Sequence, residues 1–407
     1  MTLSRRSLLG TAAAAPALPV AGRRARADDN VIKIGVLNDM SGPYRDTGGL
    51  SSVAGVELAV AEFASKGFKV EVLSADHQNK PDLGASIAGQ WYDRDGVDVI
   101  MDVPTSSVGL AVAGVAKAKN KLHINIGAAT VELTNSSCAP SLIHYTYDTY
   151  MLAKSTGGAT VKSGGDSWFF ITADYAFGKQ LQTDTTAMVQ GAGGKVMGSV
   201  AYPFPGTTDY SSFLLQAQAS GAKVLGLANA GGDTVNSVKQ AHEFGISDKM
   251  RIAPLLMFIT DVHALGLEVA SGLVLTESFY WDMNDKTRAF TKRFLPRSPK
   301  NYPNMIHAGN YSAVLHFLKA VNDMGLPAAK ANGTAIADRM KAMPVNDDCY
   351  QGSIRKDGRG LFPAYLFGVK KQSESKGPWD YYNLLQTTSG EDAYKPLSQS
   401  TCYFLKS

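Results

Sequence analysis

Residues 31–38 read VIKIGVLN, an apolar, β-branched run that ends in the turn-rich stretch Asp39-Met40-Ser41-Gly42-Pro43. A run apolar at nearly every position predicts a strand buried on both faces, as a parallel sheet requires. The segments downstream of it decide the class. Val53, Val56, Val60 and Phe63 fall at helical spacing. Strand Lys69–Ser74, helix Leu83–Tyr92, strand Val97–Val103, helix Val108–Lys119 and strand His123–Ile126 come next. Short buried strands alternating with amphipathic helices predict βαβ units.

After Tyr150 the alternation starts again. A helix from Met151 to about Lys162 leads to strand Trp168–Thr172, helix Phe177–Gln190, strand Lys195–Tyr202 and helix Tyr210–Ala219. Strand Lys223–Ala228, helix Thr234–Phe244 and strands Arg251–Leu255 and Leu273–Tyr280 continue it. Two rounds of winding predict an α/β chain with two similar, doubly wound lobes. Helices Lys286–Phe294, Gly309–Met324 and Ala335–Met343 come after them, then strands near Tyr350–Arg355 and Tyr365–Val369. From Lys370 the chain turns polar and aromatic (KKQSESKGPWDYYNLL) and reads as a surface-wrapping tail.

The 407 residues, 44% hydrophobic and 19% charged, have ample length for large cores and exclude a disordered chain. The formal charge of +4 is misleading. Residues 1–27 read as an export signal: a twin arginine (Arg5, Arg6), an apolar stretch from Leu8 to Ala21, and Ala25-Arg26-Ala27 as a cleavage site. Pro16 and Pro19 break the apolar stretch, which falls short of the roughly 20 residues that span a bilayer. Removing the signal's five arginines takes the net charge from +4 to −1, so the mature protein, expected in the periplasm, has no basic surface for nucleic acid. The three cysteines, Cys138, Cys349 and Cys402, imply one disulfide and one spare thiol in an oxidising compartment, and spacing does not choose the pair.

Catalytic and cofactor motifs do not stand out. There is no G-x-S-x-G elbow, Walker loop, H-E-x-x-H or G-x-G-x-x-G after a strand. Gly191-Ala192-Gly193-Gly194-Lys195 sits between a helix and a strand, the wrong order for a phosphate cradle, and reads as a helix stop. Asp347-Asp348 reads as a solvated turn and His77 as a polar strand end. No two histidines lie four apart and no C-x-x-C is present, so no metal and no cofactor is expected.

What recurs is small hydroxyl residues where predicted strands end: Ser41-Gly42-Pro43-Tyr44, Pro104-Thr105-Ser106-Ser107 and Ala128-Ala129-Thr130. Ligands of open α/β sheets bind there. A helix starting after Ser106-Ser107 would turn its free N–H groups toward that crevice, and hydroxyls with such amides make a carboxylate seat. Ser106 or Ser107 reads equally well as a simple helix cap, and the two roles are compatible.

These stretches, with Gly127–Thr134 (GAATVELT), Asp174–Gly178 (DYAFG), Asp209–Phe213 (DYSSF) and Lys239–Gly245 (KQAHEFG) in that order, resemble the periplasmic solute-binding proteins of branched-chain-amino-acid-type ABC transporters. The resemblance runs from about residue 31 to 370. It implies the type I periplasmic binding protein fold: two α/β lobes joined by a three-segment hinge that closes on a ligand. On this pattern lobe 1 takes 31–148 and 283–352, lobe 2 takes 149–282 and 353–385, and 386–407 form the tail. It also implies that Ser106 and the backbone of Ala129 or Thr130, with Ser107 beside them, hold a ligand carboxylate, and that Tyr175 is the pocket tyrosine of the second lobe.

One departure bears on the ligand. Amino-acid binders of this kind carry an acid for the ligand ammonium, whose matching position here is Leu255, in a segment with no acid before Asp261. An ammonium closed in without its partner loses roughly 2–5 kcal/mol, two to three decades and more of affinity. Leu256, Met257 and Phe258 offer apolar, polarizable surface instead. Tyr44, Tyr175, Phe177 and Tyr280-Trp281 can supply aromatic walls, with Phe177 and Trp281 reading better as core. Leu227–Asp233, Phe279–Asp282 and Glu374–Tyr382 resemble a branch linked to uptake of hydroxycinnamates and related phenylpropanoids. In that branch cysteines matching Cys138 and Cys402 are paired, which leaves Cys349 free. The expectation is a monomer that delivers an aromatic monocarboxylate to a membrane permease, with Asn229 hydrogen-bonding a ring substituent. The rivals are an aliphatic amino-acid or amide binder and an extracytoplasmic sensor.

Overall fold

The computed structural model describes residues 30–298 and 300–405, so the predicted export signal lies outside the described residues. The first round of winding comprises β1 (Val31–Asn38), α1 (Gly49–Glu62), β2 (Lys69–Asp76), α2 (Pro81–Gln90), β3 (Val99–Asp102), α3 (Ser106–Ala118), β4 (Leu122–Asn125) and β5 (Leu142–His144). All its strand pairs are parallel, in the order β2-β1-β3-β4-β5. β1 is buried along almost its whole length, as its uninterrupted apolar run predicts.

The second round begins with α4 (Thr149–Leu152), a π-helical turn Ala153–Gly157 and α5 (Gly158–Lys162), where the pattern predicts one regular helix. It continues with β6 (Ser167–Ala173), α6 (Ala176–Gly191), β7 (Lys195–Tyr202), α7 (Ser211–Ala219), β8 (Val224–Ala228), α8 (Gly232–Glu243), β9 (Arg251–Pro254), α9 (Ile259–Ala270) and β10 (Val274–Glu277). Its parallel sheet has the order β7-β6-β8-β9. In both sheets the first strand is flanked by the second and third, so the winding reverses beside β1 and β6. Crevices open at such switch points.

The chain then returns to lobe 1 with α10 (Asp285–Phe294), α11 (Met305–Met324), α12 (Leu326–Ala331) and α13 (Gly333–Ala342); α10 and α11 pack on α1, and α13 on β4. A small sheet of β11 (Val345–Asn346), β12 (Gln351–Ile354) and β13 (Gly360–Leu361) leads back to β14 (Ala364–Val369), which pairs antiparallel with β10. The molecule is thus two α/β lobes with the chain crossing between them near residues 145–149, 278–284 and 355–363. At the hinge Arg359 is fully buried, donates to the carbonyls of Gly360, Tyr147 and Thr146, and lies 3.5 Å from the Asp148 carboxylate.

The region read as tail from Lys370 contains a strand, β15 (Tyr382–Thr388), paired with β14. All but the ends of β15 are exposed, so it shows none of the alternation that marks a half-buried strand. Beyond it, α14 (Gly390–Ala393) leads to Tyr394, whose buried hydroxyl donates to Thr146 O at 2.9 Å under the first crossover. The Cys138–Cys402 disulfide (Cα–Cα 5.7 Å) then fastens the tail to lobe 1, and Cys349 is free. No helix among the described residues is long and apolar enough to cross a membrane.

Candidate ligand-binding site

The loop after β1 is shaped by Asp39. Its carboxylate accepts from the N–H groups of Gly42 (2.8 Å) and Tyr44 (2.9 Å) and from Asn79 Nδ2 (2.8 Å). That brace turns Tyr44 toward the second lobe. After β3, α3 starts at Ser106, and the Ser106 Oγ accepts from the Thr130 N–H at 3.2 Å. A hydroxyl that accepts there keeps its own O–H to donate, and the unpaired amides of the first helical turn open at the same end. Gly127 is needed for this approach. A Cβ on it would lie 2.6 Å from Pro104 Cα, inside any tolerable contact.

These loops meet the strand ends of lobe 2 around a narrow cavity with about 10 Å³ of free space. Lobe 1 contributes Tyr44, Thr47, Pro104, Gly127 and Ala129, and lobe 2 contributes Tyr175, Phe177, Ala230, Leu256 and Phe258. Tyr147 from the first crossover and Ile306 from the start of α11 complete the lining. None of these side chains is charged.

The lobes touch across the cleft. The hydroxyls of Tyr44 and Tyr175 are 2.5 Å apart, and the Gly232 N–H donates to Pro43 O at 3.0 Å. Phe204 stacks on Tyr175 (ring centroids 4.1 Å apart) and lies 5.7 Å from the Tyr44 ring. Burial pushes both tyrosine pKa values well above normal, so both hydroxyls remain protonated donors.

The sequence-predicted residues fall into two groups. Tyr44, Ala129, Tyr175 and Phe258 line the cavity together. Ser106, Thr130 and Ser107 are not among the lining residues: Ser106 and Thr130 are fully buried, Thr130 Oγ1 also accepting from the Glu132 N–H, and Ser107 is half-buried on the first turn of α3. Asn229 does not reach the cavity: its amide donates to Ser237 Oγ and accepts from Thr234 Oγ1, so it is spent on organising the start of α8. Phe177, read better as core, lines the cavity, whereas Tyr280 and Trp281 pack elsewhere against Tyr382 and Tyr302. Thr47, Tyr147, Phe204 and Ile306 escaped the sequence reading.

Asp261, the first acid after Leu255, turns away from the ligand space. It reaches back from the first turn of α9 to accept the Phe258 N–H at 3.0 Å, and burial pushes its carboxyl up to about 7. The cavity floor also rests on Glu277, fully buried and pushed up to about 8 by burial.

Comparison with known proteins agrees with this architecture. The family model described as periplasmic binding protein matches residues 31–377. A periplasmic binding protein from Burkholderia mallei is 47% identical, with a TM-score of 0.89 over 92% of this chain and 99% of that one. A branched-chain amino acid ABC transporter periplasmic ligand-binding protein from Burkholderia xenovorans LB400 is 37% identical, with a TM-score of 0.79 over 91% and 99%. An ABC-transporter solute-binding protein from R. palustris, solved with 4-hydroxybenzoate, shares the fold at 19% identity, with a TM-score of 0.79 over 91% and 100%. With two parallel α/β lobes closing on an uncharged cleft, and a family match over most of its length, the chain belongs to the periplasmic binding proteins.

Proposed function

We propose that this protein is the substrate-binding component of an ABC importer and that its cleft takes an aromatic monocarboxylate of hydroxybenzoate or hydroxycinnamate size. One observation carries the reading: the cavity between the lobes is walled by aromatic and small apolar residues with no charged side chain. A zwitterionic amino acid would leave its ammonium unpaired there, because no acid lines the cavity and Asp261, the first acid after Leu255, is bonded to the Phe258 N–H of its own helix start. A carboxylate needs only donors. The Ser106 hydroxyl, the amides around Ala129 and Thr130 and the start of α3, with Ser107 beside it, are the seat we assign it. Tyr175 and Phe258 flank the ring, and the Tyr44–Tyr175 hydroxyl pair suits a phenolic substituent.

The solute-binding protein solved with 4-hydroxybenzoate supports this reading at the level of fold. The branched-chain relative from B. xenovorans favours a rival, an aliphatic amino-acid ligand. A thermal-shift panel on the mature protein separates them, because a ligand selective for the folded state raises the melting temperature by mass action. p-Coumarate and 4-hydroxybenzoate are expected to shift it and leucine and glutamate are not. The reverse pattern would overturn the aromatic reading.

A further inference from the structure

Glu277 is the last residue of β10, where the chain leaves lobe 2 for lobe 1. It is fully buried and has no cationic partner among the described residues. Three donors take its oxygens instead. Oε1 accepts from the N–H of Ile259 at 3.0 Å, the first residue of α9 in lobe 2, and from the Tyr382 hydroxyl at 2.9 Å on β15. Oε2 accepts from the N–H of Met305 at 3.2 Å, the first residue of α11 in lobe 1. One carboxylate therefore serves the positive ends of two helices, one from each lobe. Phe258, just before Ile259, and Ile306, just after Met305, both line the cavity.

We propose that Glu277 is a positioning residue for closure: its carboxylate, shared between the starts of α9 and α11, holds the cavity floor of Phe258 and Ile306 in the closed arrangement. Burying a carboxyl group is expensive whether or not it is ionised, and an Asn or Ser would meet the needs of either helix alone. Two acceptor oxygens let one side chain bond a helix start in each lobe, Oε1 the one of α9 and Oε2 the one of α11. The inference rests on the cleft being the binding site and does not depend on the ligand being aromatic.

Glu277→Gln is the direct test, since an isosteric amide keeps one acceptor oxygen and turns an NH₂ against the other donor. Tyr382→Phe is the control, because it removes a donor from the same carboxylate entirely within lobe 2. Small-angle scattering of the ligand-free proteins and p-coumarate dissociation are measured beside the melting temperature. A folded Glu277→Gln with a larger radius of gyration and dissociation about tenfold faster, against a Tyr382→Phe close to wild type, supports the proposal. A folded Glu277→Gln unchanged in scattering, or a Tyr382→Phe that opens as much, overturns it. Should Glu277→Gln not fold, amide exchange in the wild type decides: the Ile259 and Met305 amides should open at one common rate, and widely different rates reject a shared latch. If p-coumarate does not bind the wild type, the aromatic reading fails while scattering and exchange still judge Glu277.

Discussion

A tyrosine hydroxyl set in an apolar wall has to find a partner, and Tyr44 and Tyr175 find each other across the cleft. Tyr175→Phe leaves the Phe204 stack in place but strands the Tyr44 hydroxyl. It is expected to weaken p-coumarate binding by about 1–3 kcal/mol, read by calorimetry. Ser106→Ala removes both an acceptor for the Thr130 N–H and a donor to the carboxylate. A loss of about 1.5–3 kcal/mol is expected, and unchanged affinity would take Ser106 out of the site. Tyr44, Ala129, Tyr175 and Phe258 were legible because each lies in a loop after a predicted strand and, for Ala129 and Tyr175, because the family resemblance marks it. Tyr147 and Ile306 were not, since one lies in a crossover and the other starts a helix far along the chain. Asn229 was misleading for a related reason: a polar residue after a strand also suits the start of the next helix.

At the scale of elements, the approach of α8 to the loop after β1 depends on Gly231. Its φ is +58°, and a Cβ there would sit 2.6 Å from Pro43 O on the opposite lobe. Gly231→Ala therefore carries a left-handed strain of about 1–2 kcal/mol in any state and an added clash only when the lobes close. The expected result is a modest fall in the ligand-free melting temperature and a disproportionate loss of affinity. Equal losses in both would mean the cleft does not close at this contact. Most strands and helices follow the sequence periodicity within a few residues. α9 escaped because Gly266, at φ +75°, interrupts it midway and breaks the periodicity into two short pieces. β15 escaped because an exposed edge strand buries too little to pattern its residues.

For the molecule as a whole, buried ionisable groups set the pH response. Burial pushes Asp102 and Asp261 up to about 7 and Glu277 up to about 8, and pushes His123 and His307 down to about 3 and His77 and His316 down to about 4. Below pH about 6.5 the two sets oppose each other. The unfolded chain takes up protons on the histidines, while the folded protein holds protons on acids that the unfolded chain has released. Above about 6.5 the histidines are neutral in both states and only the acids count. Their folded pKa values are raised, so the stability they contribute is lost as pH rises through about 7 to 8. The melting temperature should fall between pH 6.5 and 8.5, with a shallower fall in Asp102→Asn. A rise over that range would mean the fold holds these acids ionised.

The Cys138–Cys402 bond adds a property that no single lobe possesses. The backbone from one cysteine to the other and the bond between them form a closed circuit, and that circuit contains the whole of the second sheet and every crossover. A protease that nicks any loop within it opens the circuit without dividing the molecule. Such a nicked protein should run as one species on a non-reducing gel and as two fragments after reduction. The lobes would then stay in register through damage that would otherwise separate them.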